Sequence, residues 1–401
     1  MEPATPANPA NPTNPASPTN PTNTVEKTRF EIPPLYCPVP FAIHPSTDLL
    51  RERTDAWLNR YEFFTQEGVR SLVTGSNWVE ADGLTWPVGD EQSMQVIADW
   101  SIIICALDDL VMEDNGDSGP SAAQSGSGAR HAAALWRACS RLLRVLEVPN
   151  ARLIEEPNPF IAPWRDAAQR FNDLATPTQH RRWIEGHRAF FNGIAWEQAL
   201  ALSDSLPTLN EYASVRMHTI GVGPARAAIE FTRGIDVPDR EMDSPPVRAI
   251  NEAWGVLNGW DNDLFSYGKD RAALRNSGKN GEPASNLVGL LMLTYGYTLP
   301  EALNRAVELR NRVMSLFVRL RAQLMPKASP ALREYLEGVG NAIRGVLEWH
   351  LRPRTSRFTE LGGSGSGGIE FTVDITEIPV ADHEKAVELP SIAWWWDLLD
   401  S

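Results

Sequence analysis

Segments with the apolar spacing of α-helices follow one another between residues 33 and 360, and this feature most constrains the fold. Apolar residues that recur every three or four positions fall on one side of a helix. No run of short alternating strands separates these segments, so the pattern favours an all-α, single-domain bundle over an α/β or all-β fold. The predicted helices cover residues 49–66, 94–114, 130–146, 177–202, 209–232, 247–267, 299–324 and 330–351.

Both ends of the chain differ from this helical part in composition. Residues 1–29 carry proline at every third position from Pro3 to Pro21 and have little to bury, which predicts a solvated tail. A glycine-serine linker opens the segment 361–401, which is acidic and contains three adjacent tryptophans, 394–396. Two interpretations of this end stay open: it docks on the domain or on a partner, or it is a disordered acidic tail. The domain itself is predicted to span residues 30–360.

The charge and the cysteines limit the class of protein. With 37 basic and 51 acidic residues the chain carries a formal charge of −14, which argues against nucleic acid or anionic membranes as partners. Cys37, Cys105 and Cys139 are far apart and form no CxxC pair, which argues against a disulfide framework or a structural zinc site. No signal peptide or apolar run long enough for a bilayer is visible, so a cytoplasmic protein is expected.

Two polar motifs interrupt apolar helices. In the first, Asp108, Asp109 and Glu113 share one side at the end of a predicted helix, although negative charge there opposes the helix dipole. In the second, Asn262, Ser266 and Asp270 are spaced four residues apart, which stacks them as one stripe on a helix. An amide oxygen, a hydroxyl and a carboxylate are hard ligands of the kind that Mg²⁺ binds, so both motifs indicate a divalent-cation site.

This pair of motifs, DDLVMED followed by NDLFSYGKD, resembles the aspartate-rich motif and the NSE triad of bacterial-type class I terpene synthases. Arg216 stands 46 residues before Asn262, where that family keeps its diphosphate-sensing arginine, and residues 219–221 occupy the helix break that follows. Residues 286–288 (NLV) are also typical, and Arg357-Phe358 stands where the family has an Arg-Tyr pair. The resemblance covers about residues 33–360 and implies the class I terpenoid synthase bundle with a central active-site pocket.

The resemblance also implies roles for the matching residues. Asp108 would bind two of three Mg²⁺ ions with help from Asp109 and Glu113, and the stripe of Asn262, Ser266 and Asp270 would bind the third; Mn²⁺ could replace Mg²⁺. The residues expected to bind the diphosphate are Arg216, Lys269 and Arg357. Such cations would allow an acidic protein to bind an anionic substrate. Aromatic side chains would line a dry pocket and stabilise a carbocation, the candidates being Trp100, Phe191, Trp196, Trp254, Trp349 and Phe358.

Two residues depart from the family pattern: Asp270 is one methylene shorter than the usual Glu, and Phe358 lacks the phenol of the usual Tyr. Farnesyl diphosphate is the expected substrate because it is the commonest in the family. Geranyl or methylated geranyl diphosphate and a C20 diphosphate are the alternatives, and an antiparallel homodimer is the usual assembly. No side chain is assigned as a general base.

Three other classes of protein compete with this prediction. A chain-elongating prenyltransferase would share the fold but carry a second aspartate-rich motif in place of the stripe. A non-enzymatic helical binding protein would not need the basic residues and the stripe together. A di-iron bundle would need Glu-x-x-His pairs, which such sites use.

Overall fold

A computed structural model of the chain describes residues 28–108, 127–151, 158–203, 205–276, 280–352, 369–379 and 382–399. Within these ranges the molecule is built from α-helices, as the sequence predicts. In chain order the helices are α1 (Thr47–Leu58), α2 (Glu62–Thr65), α3 (Glu67–Gly75), α4 (Trp78–Thr85), α5 (Glu91–Leu107), α6 (Ser127–Glu147), α7 (Ile161–Leu174), α8 (Pro177–Ala201), α9 (Leu209–Thr219), α10 (Val222–Arg233), α11 (Asp239–Met242), α12 (Pro245–Asn276), α13 (Leu287–Tyr295), α14 (Leu299–Leu324), α15 (Pro330–Leu351) and α16 (Pro390–Ala393).

Capping residues explain why several helices begin where the sequence predicts. Thr298 forms a capping box with Glu301 at the start of α14. At the start of α15 the Ser329 hydroxyl accepts the amide N–H of Leu332. In both helices a proline follows the cap, where its missing N–H costs no hydrogen bond. The predicted ranges 299–324 and 330–351 are therefore confirmed.

Other predicted boundaries are wrong. The range 49–66 is not one helix, because α1 ends at Leu58 and Asn59, a weak helix former, caps it. The range 247–267 is too short, since α12 continues through Gly268 to Asn276. Gly268 is buried there, and tertiary packing overrides its low helix propensity. The short helices α4, α7 and α13 were not predicted at all.

Helix α12 lies at the centre of the bundle. Its side chains Trp254, Leu257, Trp260 and Leu264 are completely buried. Helices α9, α13, α14 and α15 pack against it, while α8 packs on α9 and α10, and α5 packs on α1, α4 and α7. The middle of α12 therefore lies among helices, whereas residues near its two ends, such as Arg248 and Arg275, are exposed. None of the helices in the described ranges is long and apolar enough to cross a membrane.

The first described residues pair with a segment that lies far along the chain. Strand β1 (Thr28–Glu31) pairs in parallel with β3 (Ile369–Thr372), and β2 (Leu35–Tyr36) pairs in parallel with β4 (Ile375–Thr376). Further on, Trp395 is completely buried and Trp396 nearly so, as members of the main hydrophobic core. Of the two interpretations of the C-terminal segment, docking on the domain is the one that its described residues show.

Candidate active site

The stripe on α12 is where this helix loses its complete burial. Asn262, Lys269 and Asp270 are half-buried, whereas the residues of the preceding three turns are almost all buried. Ser266 is only 3% exposed, and its hydroxyl donates to Asp270 Oδ2 over 2.7 Å. The spacing of four residues thus does place the three oxygen-bearing side chains along one side of the helix, at its less buried end.

Arg216 lies directly against this stripe. The chain turns sharply at Gly221, whose φ of +79° favours glycine, so α9 ends at Thr219 and α10 starts in a new direction. The predicted helix 209–232 is therefore two helices, and the break lies at the positions that the family resemblance implies. From the last turn of α9, Arg216 Nη2 donates to Asn262 Oδ1 over 2.8 Å, and its Nη1 donates to Thr219 Oγ1 over 3.1 Å. Two residues that are 46 positions apart in sequence are therefore in direct contact.

Asp263 orients Arg216, a role that the sequence reading missed. The Asp263 carboxylate is 1% exposed, and its Oδ1 accepts from Arg216 Nε over 3.1 Å. The other oxygen, Oδ2, accepts the Tyr212 hydroxyl and the Leu287 amide N–H. A buried carboxylate with donors on both oxygens keeps the guanidinium in one orientation. The signal available in the sequence was an Asp next to Asn262 on an otherwise apolar helix.

The charges of this pair are opposed by burial. Burial raises the pKa of the Asp263 carboxyl to about 6, although Arg216, Tyr212 and the Leu287 N–H each lower it. Burial also acts to lower the pKa of Arg216, but the negative groups around it, Asp263 foremost, together more than offset this effect, and the arginine remains a cation. At neutral pH the site therefore contains a fixed ion pair, with the guanidinium on the side of Asn262.

His350 fixes the orientation of the Asn262 amide. Its Nδ1 bonds to the Val346 carbonyl over 2.7 Å, so the proton lies on Nδ1 and Nε2 accepts. The Asn262 amide group donates to that Nε2 over 3.4 Å, which directs its oxygen toward Arg216. The ring of Phe265 stacks on His350 with centroids 5.0 Å apart. The amide oxygen thus keeps one lone pair for a further ligand.

Asn286 holds the other two members of the stripe. It is completely buried, and its amide group donates to Asp270 Oδ2 over 2.9 Å and to Ser266 Oγ over 3.4 Å. Its own oxygen accepts from the amides of Val288 and Gly289 and so caps the start of α13. One side chain therefore both starts a helix and positions two candidate ligands.

The remaining predicted polar residues divide into two groups. Lys269 lies beside Asp270, with Nζ 3.8 Å from Oδ1, and Asp108 is half-buried and caps the end of α5. The others, Asp109, Glu113 and Arg357, lie outside the described residues, as does the pocket candidate Phe358, and the roles of all four stay predictions. The structure thus brings Arg216, Lys269 and the stripe together.

The donor set of the stripe fits a divalent cation. Within the described ranges no group of three or more His, Cys, Asp or Glu side chains could hold a metal ion. The stripe is not such a group, because two of its three members are an asparagine and a serine. Amide, hydroxyl and carboxylate oxygens are nevertheless ligands that Mg²⁺ accepts, with water and phosphate oxygens completing the octahedron. Asn262, Ser266 and Asp270 would hold the ion.

Four of the predicted pocket aromatics are buried and one is not. Trp100, Phe191, Trp254 and Trp349 are at most 4% exposed, whereas Trp196 is 56% exposed on the same helix as Phe191. Trp196 lies on the solvent-facing side of α8, so it does not line a closed pocket in this structure. Trp349 also packs locally, stacking on Trp78 with centroids 4.6 Å apart.

Trp100 is held by a histidine that the sequence reading did not single out. The indole N–H of Trp100 donates to His187 Nε2 over 3.0 Å, while His187 Nδ1 bonds to the Trp183 carbonyl over 2.8 Å. Burial among these rings lowers the pKa of His187 to about 3, so it stays neutral. Trp100 lies two turns before Asp108 on α5.

Comparisons with known proteins agree with the fold and the motifs. A family model described as terpene synthase family 2, C-terminal metal binding, matches residues 99–315. Phomopsene synthase of Allokutzneria albata is 31% identical over 373 residues, which are 93% of this chain and 98% of that protein. A solved structure of SVS_A2, a protein from ancestral sequence reconstruction, has a TM-score of 0.72 at 30% identity and covers 92% of this chain and 99% of that one.

The names of two further relatives state the class of terpene that they form or the substrate that they cyclise. The diterpene cyclase DtcycA of a Streptomyces species is 31% identical over 380 residues, 92% of this chain and 97% of that protein. The 4-epi-cubebol synthase of Streptosporangium roseum, named as cyclising (2E,6E)-farnesyl diphosphate, is 27% identical over 333 residues, 82% of this chain and 92% of that protein. The chain is thus similar over nearly its whole described length to cyclases of more than one substrate class.

Proposed function

The chain belongs to the bacterial class I terpene synthases, lyases that act on prenyl diphosphates, and on that premise we propose that it is a Mg²⁺-dependent cyclase whose ionising site is centred on Arg216 and Asn262. The observation that carries this proposal is the 2.8 Å contact between Arg216 Nη2 and Asn262 Oδ1. That contact joins a candidate diphosphate-binding cation to a candidate metal ligand. The same two side chains can therefore act on one diphosphate group from two directions.

The chain's own residues position the leaving group. Asp263, Thr219 and Asn262 accept from Nε, Nη1 and Nη2 of Arg216, and the second N–H of Nη1 can bind a diphosphate oxygen in a charge-assisted hydrogen bond. Lys269, on the same side of α12, adds a second cation near the stripe. When bound by the stripe, Mg²⁺ would neutralise charge that develops on the departing diphosphate. Groups fixed in advance in this way stabilise the transition state without reorganisation.

The buried aromatics suit the second half of the reaction. A carbocation survives only where water is excluded, and the faces of aromatic rings stabilise a desolvated cation by up to about 2 kcal/mol each. Trp100 and Phe191 are buried, and the His187 contact fixes the Trp100 ring in one orientation. We propose these two rings, with Trp254, as the cation-stabilising wall.

For the substrate we propose geranylgeranyl diphosphate first and farnesyl diphosphate second. The sequence alone favoured farnesyl diphosphate on its frequency in the family. The diterpene cyclase, however, shares 31% identity over 92% of this chain, against 27% over 82% and 28% over 90% for two relatives named as cyclising farnesyl diphosphate. Higher identity over a longer stretch favours the C20 substrate.

The test is to incubate the purified protein with geranyl, farnesyl and geranylgeranyl diphosphates, each with Mg²⁺ or with EDTA. Hydrocarbons are analysed by gas chromatography–mass spectrometry and diphosphate release by a coupled assay. A cyclic terpene is expected from one substrate, lost with EDTA and in Asn262→Ala. The matched control is Asn251→Ala on the same helix, whose side chain bonds to Tyr335 and lies outside the site.

Two outcomes would contradict the proposal. Absence of both product and diphosphate release with all three substrates would show that the chain does not ionise them. Formation of a longer prenyl diphosphate when isopentenyl diphosphate is added, without cyclic product, would identify a chain-elongating enzyme instead.

A further inference from the structure

The C-terminal segment 382–399, called here the C-terminal clamp, is built into the domain rather than laid over it. Ile392 and Trp395 are completely buried, and Val387 and Trp396 nearly so. All four belong to the main hydrophobic core. Burying two adjacent indoles removes a large apolar surface from water, which stabilises the docked state. The clamp therefore stays in place in the folded protein.

Ser391 of the clamp is bonded to α9, the helix that carries Arg216. The backbone N–H of Ser391 donates to Asn210 Oδ1 over 2.7 Å, and its hydroxyl donates to the Asn210 carbonyl over 3.3 Å. Asn210 stands in the first turn of α9, two residues before Tyr212, which donates to Asp263. Helix α16 also packs along α9. The clamp thus fixes the start of the helix whose last turn presents Arg216.

Trp395 of the clamp is bonded to α12, the helix that carries the stripe. The indole N–H of Trp395 donates to Glu252 Oε2 over 2.9 Å. Arg248, one turn earlier, pairs with Glu252 over 2.9 Å and lies over the ring of Trp394 at 5.8 Å from its centroid. Glu252 precedes Asn262 by just under three helical turns. Four residues apart in the clamp, Ser391 and Trp395 therefore connect the two helices that meet at Arg216 and Asn262.

We propose that the C-terminal clamp is a positioning element of the active site, which sets α9 against α12 and thereby the Arg216–Asn262 contact. The inference rests on the proposed function, because it takes these two residues as the diphosphate and metal site. The physical reason is that each helix moves as a rigid element. A small shift of either helix therefore displaces a side chain that must lie within hydrogen-bond distance of its ligand. None of the clamp residues needs to touch the substrate.

The test uses the full-length protein with Trp395→Ala, Trp395→Phe and Asn210→Ala, and with Trp136→Ala on α6 as the control. Trp136 is 44% exposed, so its loss removes an indole without disturbing this contact. Two quantities are measured: the rise in melting temperature as Mg²⁺ and inorganic pyrophosphate are added, and the steady-state KM and kcat for the prenyl diphosphate.

For Trp395→Ala we expect apparent affinity for Mg²⁺–pyrophosphate to fall, and KM to rise, by between about two- and thirtyfold, the range that substitutions acting through a packed network give. The kcat at saturating substrate changes less than KM, because the ligand itself can restore the helix positions. Trp395→Phe retains the ring and recovers part of the affinity. Asn210→Ala leaves the core intact and replaces Trp395→Ala in the test if that variant does not fold. In Asn210→Ala, too, KM should change more than kcat, by a smaller factor.

The inference is overturned if the folded variants bind Mg²⁺–pyrophosphate as the wild type and Trp136→Ala do. Trp395→Ala would then lower only the melting temperature, and the clamp would be a covering element. A wild type that binds Mg²⁺–pyrophosphate but makes no terpene would contradict the proposed cyclisation and leave the clamp comparison decisive. A wild type that is not stabilised by Mg²⁺–pyrophosphate would contradict both.

Discussion

Asp261 and Asp263, on either side of Asn262, provide a matched pair of variants that separates catalysis from stability. Each carboxylate pairs with a buried arginine of another helix. Asp261 receives Arg310 Nε at 2.8 Å and Nη2 at 3.1 Å, while Asp263 receives Arg216. Side chains two positions apart on a helix point in directions about 160° apart. Only the Asp263 pair therefore faces the proposed site.

The expected loss of stability is similar for Asp261→Asn and Asp263→Asn. Removing one partner of a buried ion pair typically costs about 3–5 kcal/mol, because the other charge is left buried. At about 0.7–0.8 kcal/mol per degree for a chain of this size, the melting temperature falls by about 4–7 °C. The loss of stability should be smaller for Asp263→Asn than for Asp261→Asn, because burial already opposes the charge of Asp263 and raises the pKa of its carboxyl to about 6.

The two variants should differ in activity. Asp263→Asn leaves one acceptor oxygen where the carboxylate has two, and this oxygen cannot serve both Arg216 and the donors Tyr212 and Leu287 N–H. With the charge also removed, the guanidinium loses its orientation toward Asn262. We expect kcat/KM to fall by at least about tenfold and by no more than the roughly thousandfold loss seen when a transition-state donor is removed. Asp261→Asn, assayed well below its melting temperature, should stay within about threefold of the wild type. Melting curves and diphosphate-release kinetics on the same preparations give both quantities.

Either of two results would refute this reasoning. Equal loss of activity in both variants would show that α12 transmits any damage, and that the Arg216 contact is not special. Activity of Asp263→Asn within twofold of the wild type would show that Arg216 is positioned by something other than Asp263.

Three further predictions concern neighbouring residues. Asn286→Ala should raise the Mg²⁺ concentration for half-maximal activity several-fold, since Ser266 and Asp270 lose their shared donor, while the lost cap costs about 1 kcal/mol of stability; unchanged Mg²⁺ dependence in a titration would contradict this. Asp270→Glu should lower that Mg²⁺ concentration if the shorter side chain weakens the site, and a rise would show that Asp fits this chain better. His187 has a folded pKa of about 3, below its unfolded value, so the unfolded chain binds a proton that the folded chain does not. The free energy of unfolding of the wild type should therefore fall by about 2 kcal/mol from pH 7 to pH 5 because of this group. Unfolding measured at both pH values should show that this loss is absent in His187→Gln.

The fold class and the two motifs could be predicted from the amino-acid sequence alone. Helical periodicity and capping residues act locally, so the helices at 299–324 and 330–351 could be predicted to the residue. The stripe of Asn262, Ser266 and Asp270 also follows from helix geometry alone. Its partner Arg216 was found only through the family resemblance, because a spacing of 46 residues has no local physical meaning.

Tertiary structure decided everything that joins distant segments. That Asp263 orients Arg216, that Asn286 donates to Ser266 and Asp270, and that His187 fixes Trp100 depends on helix packing, which no local pattern encodes. The burial of Trp395 runs against what composition suggests, since this residue belongs to an acidic tail. Trp196, in turn, is exposed although Phe191 on the same helix is buried. A side chain's propensity is local, whereas its burial depends on which other elements reach it, and this is settled only when the whole chain packs.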